Sequence, residues 1–547
     1  MLAPGSFFLG HLENKGEKAC IKSSMNIIPK TSSDDQPPDL FNQKDAKDLA
    51  RGALVNFLGM FAKISKLVFV IVATRFYGAN AIGLYFLAWS AIDIASKLGL
   101  MGMDRSLIRD IARYRSPESI QQKAKIFRIL RFNITVAFCL SLVVAGLVVL
   151  LSPVIAKFAF KDPNLTNTLR ILAIALPFIV LTTVFISTTK ALRLMRYEVL
   201  IRQSLEPLVL LVVTLSLIPL KLGATGLVIA HLVASIAATV TAAFVFYRKF
   251  RYLGWHPGPL RKENKLETLR YASPIAIMDF LNLLVARMDI FLVGALLNVT
   301  SAGYYGVAVE IISIIKRVRQ GFEPIFAPIV SELYYNEQKE RLQRNYVLVT
   351  RWLIAGSLLP VLAMILYPDQ LLRLFGIQSP QASLALMLLA LAHGLFGAFS
   401  ASENLLIMTG KSLLNTKLAF VMLLVNSAVS VWLIPLIGLP GASLGTLAAF
   451  AAVSFGRIFH GYRQLHLHPF NYALLWPLFT AGMTTVIFVF LKTWLDLQSV
   501  PETIVAIVML AFCYTAIYFL GAREPEEKHL LMKLKNKLKP KPAIINI

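Results

Sequence analysis

Hydrophobic residues along this chain gather into long runs instead of alternating with polar ones. The runs cover about Gly52–Tyr77, then 82–103, 129–152, 168–189, 203–219, 224–247, 271–297, 302–329, 347–367, 382–409, 413–436, 441–460, 471–491 and 502–521. A helix rising about 1.5 Å per residue needs about twenty residues to cross about 30 Å of hydrocarbon. Within lipid the backbone must satisfy its own hydrogen bonds, so such runs are helices. The pattern predicts an all-α polytopic membrane protein with about fourteen transmembrane helices.

Composition agrees. The 547 residues are 56% hydrophobic and 16% charged, with mean hydropathy +0.65. These values exclude an ordinary soluble enzyme. A net charge of +25 suggests nucleic acid until its placement is considered. Arg105, Arg109, Arg113, Arg115, Lys123, Lys125 and Arg128 fall between the second and third runs. Lys190, Arg193 and Arg196 form a second cluster, and six cations between Arg248 and Lys265 a third. Lys339, Arg341 and Arg344 follow, and Lys533–Lys541 ends the series. The alternate connections are nearly bare of Lys and Arg, which is the positive-inside pattern. Both termini are therefore expected in the cytoplasm, and no nucleic-acid partner is expected.

The chain repeats itself. Ala81-Ile-Gly-Leu-Tyr-Phe-Leu-Ala88 opens run two much as Ser301-Ala-Gly-Tyr-Tyr-Gly-Val-Ala308 opens run eight. Ile218-Pro-Leu-Lys-Leu-Gly-Ala-Thr-Gly226 has its counterpart in Ile434-Pro-Leu-Ile-Gly-Leu-Pro-Gly441. An even number of spans per repeat, about six, predicts two parallel pseudo-symmetric lobes with a substrate between them. The expected organisation is a cytoplasmic segment over 1–50, a first six-helix lobe over 51–250 and a second over 251–465. Two extra helices over 466–522 and a basic cytoplasmic tail over 523–547 complete it. Pro219 and Pro435 are expected to end helices, with Gly223, Gly226, Gly438 and Gly441 permitting tight turns. Residues 1–50 lack a basic n-region followed by an apolar core, so no cleavable signal is expected; Met25 is a second candidate start. Thr31–Asp39 has the polar, Pro-rich composition of disorder.

Candidate chemistry lies in ionisable residues inside the runs, where a charge costs about 2.5–3.5 kcal/mol on insertion scales and usually faces a wet cavity or a partner. Lys63 and Lys66 share one face of run one. Asp93 and Lys97 lie one turn apart on run two, as a pair within the helix or as transport residues. Asp279, Arg287 and Asp289 interrupt run seven. Glu310 sits on run eight, followed by Lys316, Arg317 and Arg319, which have either a cavity role or a snorkelling one. Lys63, Lys66, Lys97 and Arg287 are the candidate substrate cations, since Arg and Lys bind phosphate. Asp93, Asp289 and Glu310 are candidates for a coupling cation or proton, or for neutralising neighbours. His231 and His393 are expected to bond between helices, and Glu403 to be interfacial. Asp104–Gln122 reads as an amphipathic surface helix, with Leu107, Ile111 and Tyr114 on one face. The three cysteines give no disulfide framework. No P-loop, catalytic carboxylate loop or His/Cys metal cluster is evident, so no cofactor, metal or catalytic residue is expected.

Gly83-Leu-Tyr85 with Gly303-Tyr-Tyr305, the run Arg287-Met-Asp289-Ile-Phe-Leu-Val-Gly294, and Ile434-Pro with Gly441-Ala-Ser443 carry a family resemblance. Over about Ala50–Gly521 the chain resembles the polysaccharide transporters, Wzx-type oligosaccharide flippases, of the multidrug/oligosaccharidyl-lipid/polysaccharide exporter superfamily. The resemblance implies two six-helix lobes in a V, as in the multidrug exporters, with two extra helices. It also implies a cationic cavity passing polyprenyl-diphosphate-linked glycans to the outer leaflet by alternating access. Family cavity cations would correspond to Lys63, Lys66, Lys97 and Arg287; lysine instead of arginine in run one departs from the family pattern.

The expected function is thus a flippase in the inner membrane, serving surface polysaccharide such as O-antigen or lipopolysaccharide. Its expected partners are a lipid-linked oligosaccharide, membrane lipids and the polysaccharide polymerase and assembly machinery. The alternative is a cation-coupled multidrug antiporter, whose cavity should be acidic and aromatic. A polymerase or ligase would need a large external loop, and none longer than about fifteen residues appears between the runs.

Overall fold

The computed structural model describes residues 64–113, 119–192, 194–254, 256, 258, 260–492 and 500–521, and these are helical with short connections. Expectations for Lys63, the 1–50 segment, Tyr114 and the C-terminal tail fall outside the described residues. The first half comprises α1 (residues 64–77), α2 (Gly78–Leu100), α3 (Met103–Ala112), α4 (Ile120–Val154), α5 (Asn164–Ala191), α6 (Arg196–Leu220) and α7 (Ala224–Phe250). The second half comprises α8 (Lys262–Leu296), α9 (Val299–Tyr335), α10 (Lys339–Leu366), α11 (Pro368–Leu374), α12 (Pro380–Met408), α13 (Ser412–Ile437) and α14 (Leu439–Leu465). α15 (Leu475–Lys492) and α16 (Val500–Leu520) follow and pack on α10.

Eleven helices among the described residues are long and apolar enough to span a membrane, against the fourteen expected. That number counts Ile64–Leu100 as one span, although Gly78, at φ 88°, interrupts it. It also omits α8 and α9, which are long enough at 35 and 37 residues but are interspersed with ionisable side chains. Helices run past the apolar runs that announced them, because hydropathy reports only the lipid-facing length. α4 begins at Ile120, where the Ser119 side chain accepts from the Gln122 N–H at 3.2 Å, a serine N-cap. α9 is capped alike by Asn298, which accepts from the Ser301 N–H at 2.8 Å. The expected surface helix is shorter than Asp104–Gln122: it ends at Ala112, and Gln122 already belongs to α4. Pro219 lies in the tight turn that ends α6, whereas Pro435 sits inside the last turn of α13. Gly223 and Gly438 have positive φ at the turns, but Gly226 and Gly441 are inside α7 and α14 and serve close packing.

Within the first half α5 packs on α4, α2 and α7; within the second, α14 packs on α12 and α13, and α9 on α12 and α10. The halves join mainly where α2 meets α9 and α8, and one buried apolar cluster runs through both. The join is built from the repeated motif itself. A Cβ on Gly83 would lie 2.1 Å from the Val299 carbonyl oxygen, and one on Gly303 would lie 2.3 Å from that of Ala79. Small residues here let two helix backbones touch, the usual device for helix association where lipid supplies no hydrophobic drive.

Candidate functional site

Below this glycine contact, α1, α2, α8 and α9 carry four ionisable residues that pair across the two halves. Lys66 Nζ of α1 donates to Glu310 Oε1 of α9 at 2.6 Å. Arg287 Nη2 of α8 donates to Asp93 Oδ2 of α2 at 2.8 Å. The two bridges are reciprocal: a cation on the first helix of each half holds a carboxylate on the second helix of the other. Arg287 and Asp93 are about one-fifth exposed, Glu310 is 15% exposed, and Lys66 is 51% exposed. Arg287, Asp93 and Glu310 are therefore largely inside the protein, whereas Lys66 is wet.

This corrects the expectation for Asp93, which does not bond Lys97 one turn along its own helix but Arg287 on another. A guanidinium offers donors in a fixed planar fork, which suits a carboxylate held by a separate helix. Lys97 has no ion-pair partner among the described residues and lies half-buried on α2. Lys316 is exposed and within electrostatic reach of Glu310, Arg287, Asp289 and Lys66. Its neighbour one turn on, Arg319, forms an ion pair with Glu403 at 3.1 Å, and Arg457, only 4% exposed, forms one with the same carboxylate at 3.1 Å. Glu403 thus ties α9, α12 and α14 together inside the bundle. Both guanidinium groups also lie over the Phe396 ring, at 5.2 and 5.3 Å.

Asp289 has a different environment from the other two carboxylates. Thr446 Oγ1 donates to its Oδ2 at 2.8 Å, and Tyr305 Oη donates at 3.3 Å. Asn426 Nδ2 reaches Thr446 Oγ1 at 3.4 Å. No cation pairs with Asp289 among the described residues, and its Oδ1 is buried without a hydrogen-bond partner, as are Asn426 Oδ1, Ser430 Oγ and Ser443 Oγ. The three expected ion-coupling residues therefore divide: Asp93 and Glu310 neutralise cations, while Asp289 sits in a neutral oxygen-rich nest. That donor set suits a hard cation or a proton.

His231 and Tyr85 bond between α7 and α2, Nδ1 to Oη at 2.9 Å, with the Trp89 ring tilted against the imidazole at 4.3 Å. His393 makes an edge contact with Phe450 at 4.9 Å. Glu206 and Arg202 on α6 escaped the sequence reading; Glu206 is within electrostatic reach of Arg202, Lys66 and Asp93. The signal was available as two opposite charges one turn apart at the head of run five.

At the basic end of the bundle, α3 does more than lie on a surface. Leu107 and Ile111 are buried, and Arg113 Nη1 donates to Glu267 Oε1 of α8 at 3.0 Å. Arg109 bonds Asp110 at 2.7 Å and lies over the Tyr271 ring at 4.0 Å. Gly102, whose Cβ would lie 2.4 Å from the Ala272 carbonyl oxygen, completes this second tie between the halves.

Residues 72–375, more than half of the chain, match the family model described as polysaccharide biosynthesis protein. The chain belongs to that family. Asp93, Arg287, Asp289 and Glu310 fall inside the matched stretch, and Lys66 lies just before it. A comparison with curated proteins finds no match in sequence. Among solved structures, the lipid II flippase MurJ in an inward closed conformation is similar over 86% of this chain and 99% of its own, with a TM-score of 0.71 at 14% identity. An inward-facing multidrug resistance MATE transporter of the MOP superfamily is similar over 74% of this chain and 94% of its own, with a TM-score of 0.59 at 14% identity. The Vibrio cholerae MATE transporter VcmN matches over 79% of this chain and 100% of its own, with a TM-score of 0.55 at 13% identity. This polysaccharide biosynthesis family member thus has the multi-pass transporter fold of that superfamily.

Proposed function

We propose that the protein is a flippase that moves a polyprenyl-diphosphate-linked oligosaccharide across the cytoplasmic, inner membrane by alternating access. The observation that carries the reading is the reciprocal pairing of Lys66 with Glu310 and of Arg287 with Asp93 between the halves. In the closed arrangement each cation is neutralised by the opposite half. A diphosphate presents the same acceptor oxygens as two carboxylates and can take their place on the guanidinium fork and the ammonium. Parting the halves frees the cations to receive it, and closing them restores the bridges and releases it. The family membership supports a cargo of glycan chemistry, and the similar lipid II flippase supports a lipid-linked one. The charge pattern favours both termini in the cytoplasm, and surface polysaccharide polymerases are the natural consumers of the product. Transport, not bond making, is the activity assigned.

Removing the protein is expected to strand a lipid-linked saccharide on the cytoplasmic leaflet. Wild-type protein restores transfer, whereas Lys66→Ala does not; leaflet-resolved labelling of the glycan is the measurement. If no saccharide accumulates, the reading fails.

Asp289 is the proposed site of the coupling cation or proton. Asp289→Asn keeps the size and the Thr446 contact but removes the charge, and is expected to make transport in proteoliposomes indifferent to the imposed ion gradient. Retained gradient dependence would remove Asp289 from that role.

A further inference from the structure

A second cationic site lies away from the bridges between the halves. The first turns of α10 and the segment 466–473 border an open cavity of about 990 Å³. Its walls carry Lys339, Arg341, Arg344 and Arg351 against one carboxylate, Glu340. His466 and His468 add two imidazoles. None of Lys339, Arg341 and Arg344 has a carboxylate partner among the described residues, although Arg341 Nη1 donates to Gln338 Oε1 at 2.6 Å. Arg351 is only 5% exposed, so it lies deepest, whereas Arg344 is exposed at the mouth. The two share one helix face two turns apart, about 10 Å along the axis, with aliphatic Val347 and Leu348 between them.

The opposite wall is fixed in place. Gln343 Nε2 donates to the His468 carbonyl at 2.7 Å, and the His468 N–H donates back to Gln343 Oε1 at 3.2 Å. This two-way bond clamps the segment to α10 and keeps the cavity open between them. Phe470, on the wall, and Tyr472 beside it are 50% and 87% exposed, and exposed aromatic rings at the end of a spanning bundle belong at headgroup level. The cavity therefore combines cations, an aliphatic wall and an interfacial depth. Lipid headgroups bind basic pockets between spanning helices in this way.

We propose that this cavity binds the phosphate ester of an anionic membrane lipid, with Arg344 and Lys339 gripping the phosphate at the mouth and the aliphatic wall receiving the start of the chains. The site is independent of the transport reading, because no residue of the bridges contributes to it. Its occupant would tie α10 to the segment leading into α15.

The test is native mass spectrometry of the full chain in detergent with added phosphatidylglycerol, phosphatidylcholine or pyrophosphate. Retention of phosphatidylglycerol over phosphatidylcholine is expected, weakened about tenfold in the double variant Lys339→Gln and Arg344→Gln, since charge-assisted bonds are lost. Both residues are exposed, so the fold should survive, and the double variant Arg248→Gln and Arg251→Gln, which removes two exposed charges outside the cavity lining, serves as a charge-matched control that leaves retention unchanged. Equal retention of the two lipids, or retention that the double variant leaves intact, would overturn the proposal. Capture of pyrophosphate with no lipid retained would overturn the lipid assignment.

Discussion

Arg287→Ala is expected to abolish transport, and Arg287→Asp combined with Asp93→Arg to recover a measurable part of it. Removing the guanidinium leaves Asp93 about one-fifth exposed with no partner across the interface. Breaking a buried pair from one side costs about 3–5 kcal/mol because the remaining charge is uncompensated; partial exposure here places the expectation near the lower end, about 3 kcal/mol. That loss falls on the closed arrangement, in which the bridge exists. Transport should therefore fail by at least about tenfold even where the protein folds, since about 1.4 kcal/mol already shifts an equilibrium tenfold. The exchanged pair restores the bridge but moves the cation to α2, so folding recovers more than transport does. Thermal stability in detergent and transfer in proteoliposomes, measured on the same samples, separate the two effects. If the exchanged pair recovers neither, or if Arg287→Ala transports normally, the bridge is not part of the cycle.

Gly83→Ala and Gly303→Ala should each destabilise the bundle by about 3 kcal/mol, the upper end for overpacking, because the atom that each new methyl meets is a backbone oxygen with nowhere to go. The distances are 2.1 and 2.3 Å, far inside contact, whereas side-chain methyls of Val318 and Val361, not backbone, crowd Gly356 and Gly394. Gly146→Ala provides the control. It stands in α4 with open space around it, so the same change there should gain up to about 1 kcal/mol from helix propensity. Midpoints of thermal unfolding in one detergent decide the matter. Equal midpoints for Gly83→Ala and Gly146→Ala would mean that α2 and α9 do not meet at these glycines.

The helices were legible nearly end to end, because lipid leaves a backbone no other way to satisfy itself and hydropathy marks its length. The errors fall where that constraint lapses. The amphipathic starts of α4 and α8 reach beyond the apolar runs. The surface helix stops at Ala112, and the short α11 sits in what read as a loop. The ionisable residues were equally visible, since a charge within an apolar run stands out. Their partners were not. Spacing along a single helix suggested Asp93 with Lys97, yet the carboxylate faces Arg287, which is 194 residues away in the chain. Nothing in the spacing gave Glu403 a partner, and only the approach of α9 and α14 puts two guanidinium groups on it.

By itself the sequence determined that this is a duplicated helical bundle with cations and carboxylates set within the apolar runs of corresponding helices of each copy, because hydropathy, charge placement and a repeated glycine motif are properties of the chain alone. Which cation meets which carboxylate was decided by the tertiary structure. Electrostatic pairing acts through space over a few ångströms, and the close approach of α2 and α9, permitted by Gly83 and Gly303, is what sets those distances. The packing of α13 and α14 set Asp289 apart from the paired carboxylates, because hydroxyl and amide groups surround it there instead of a cation.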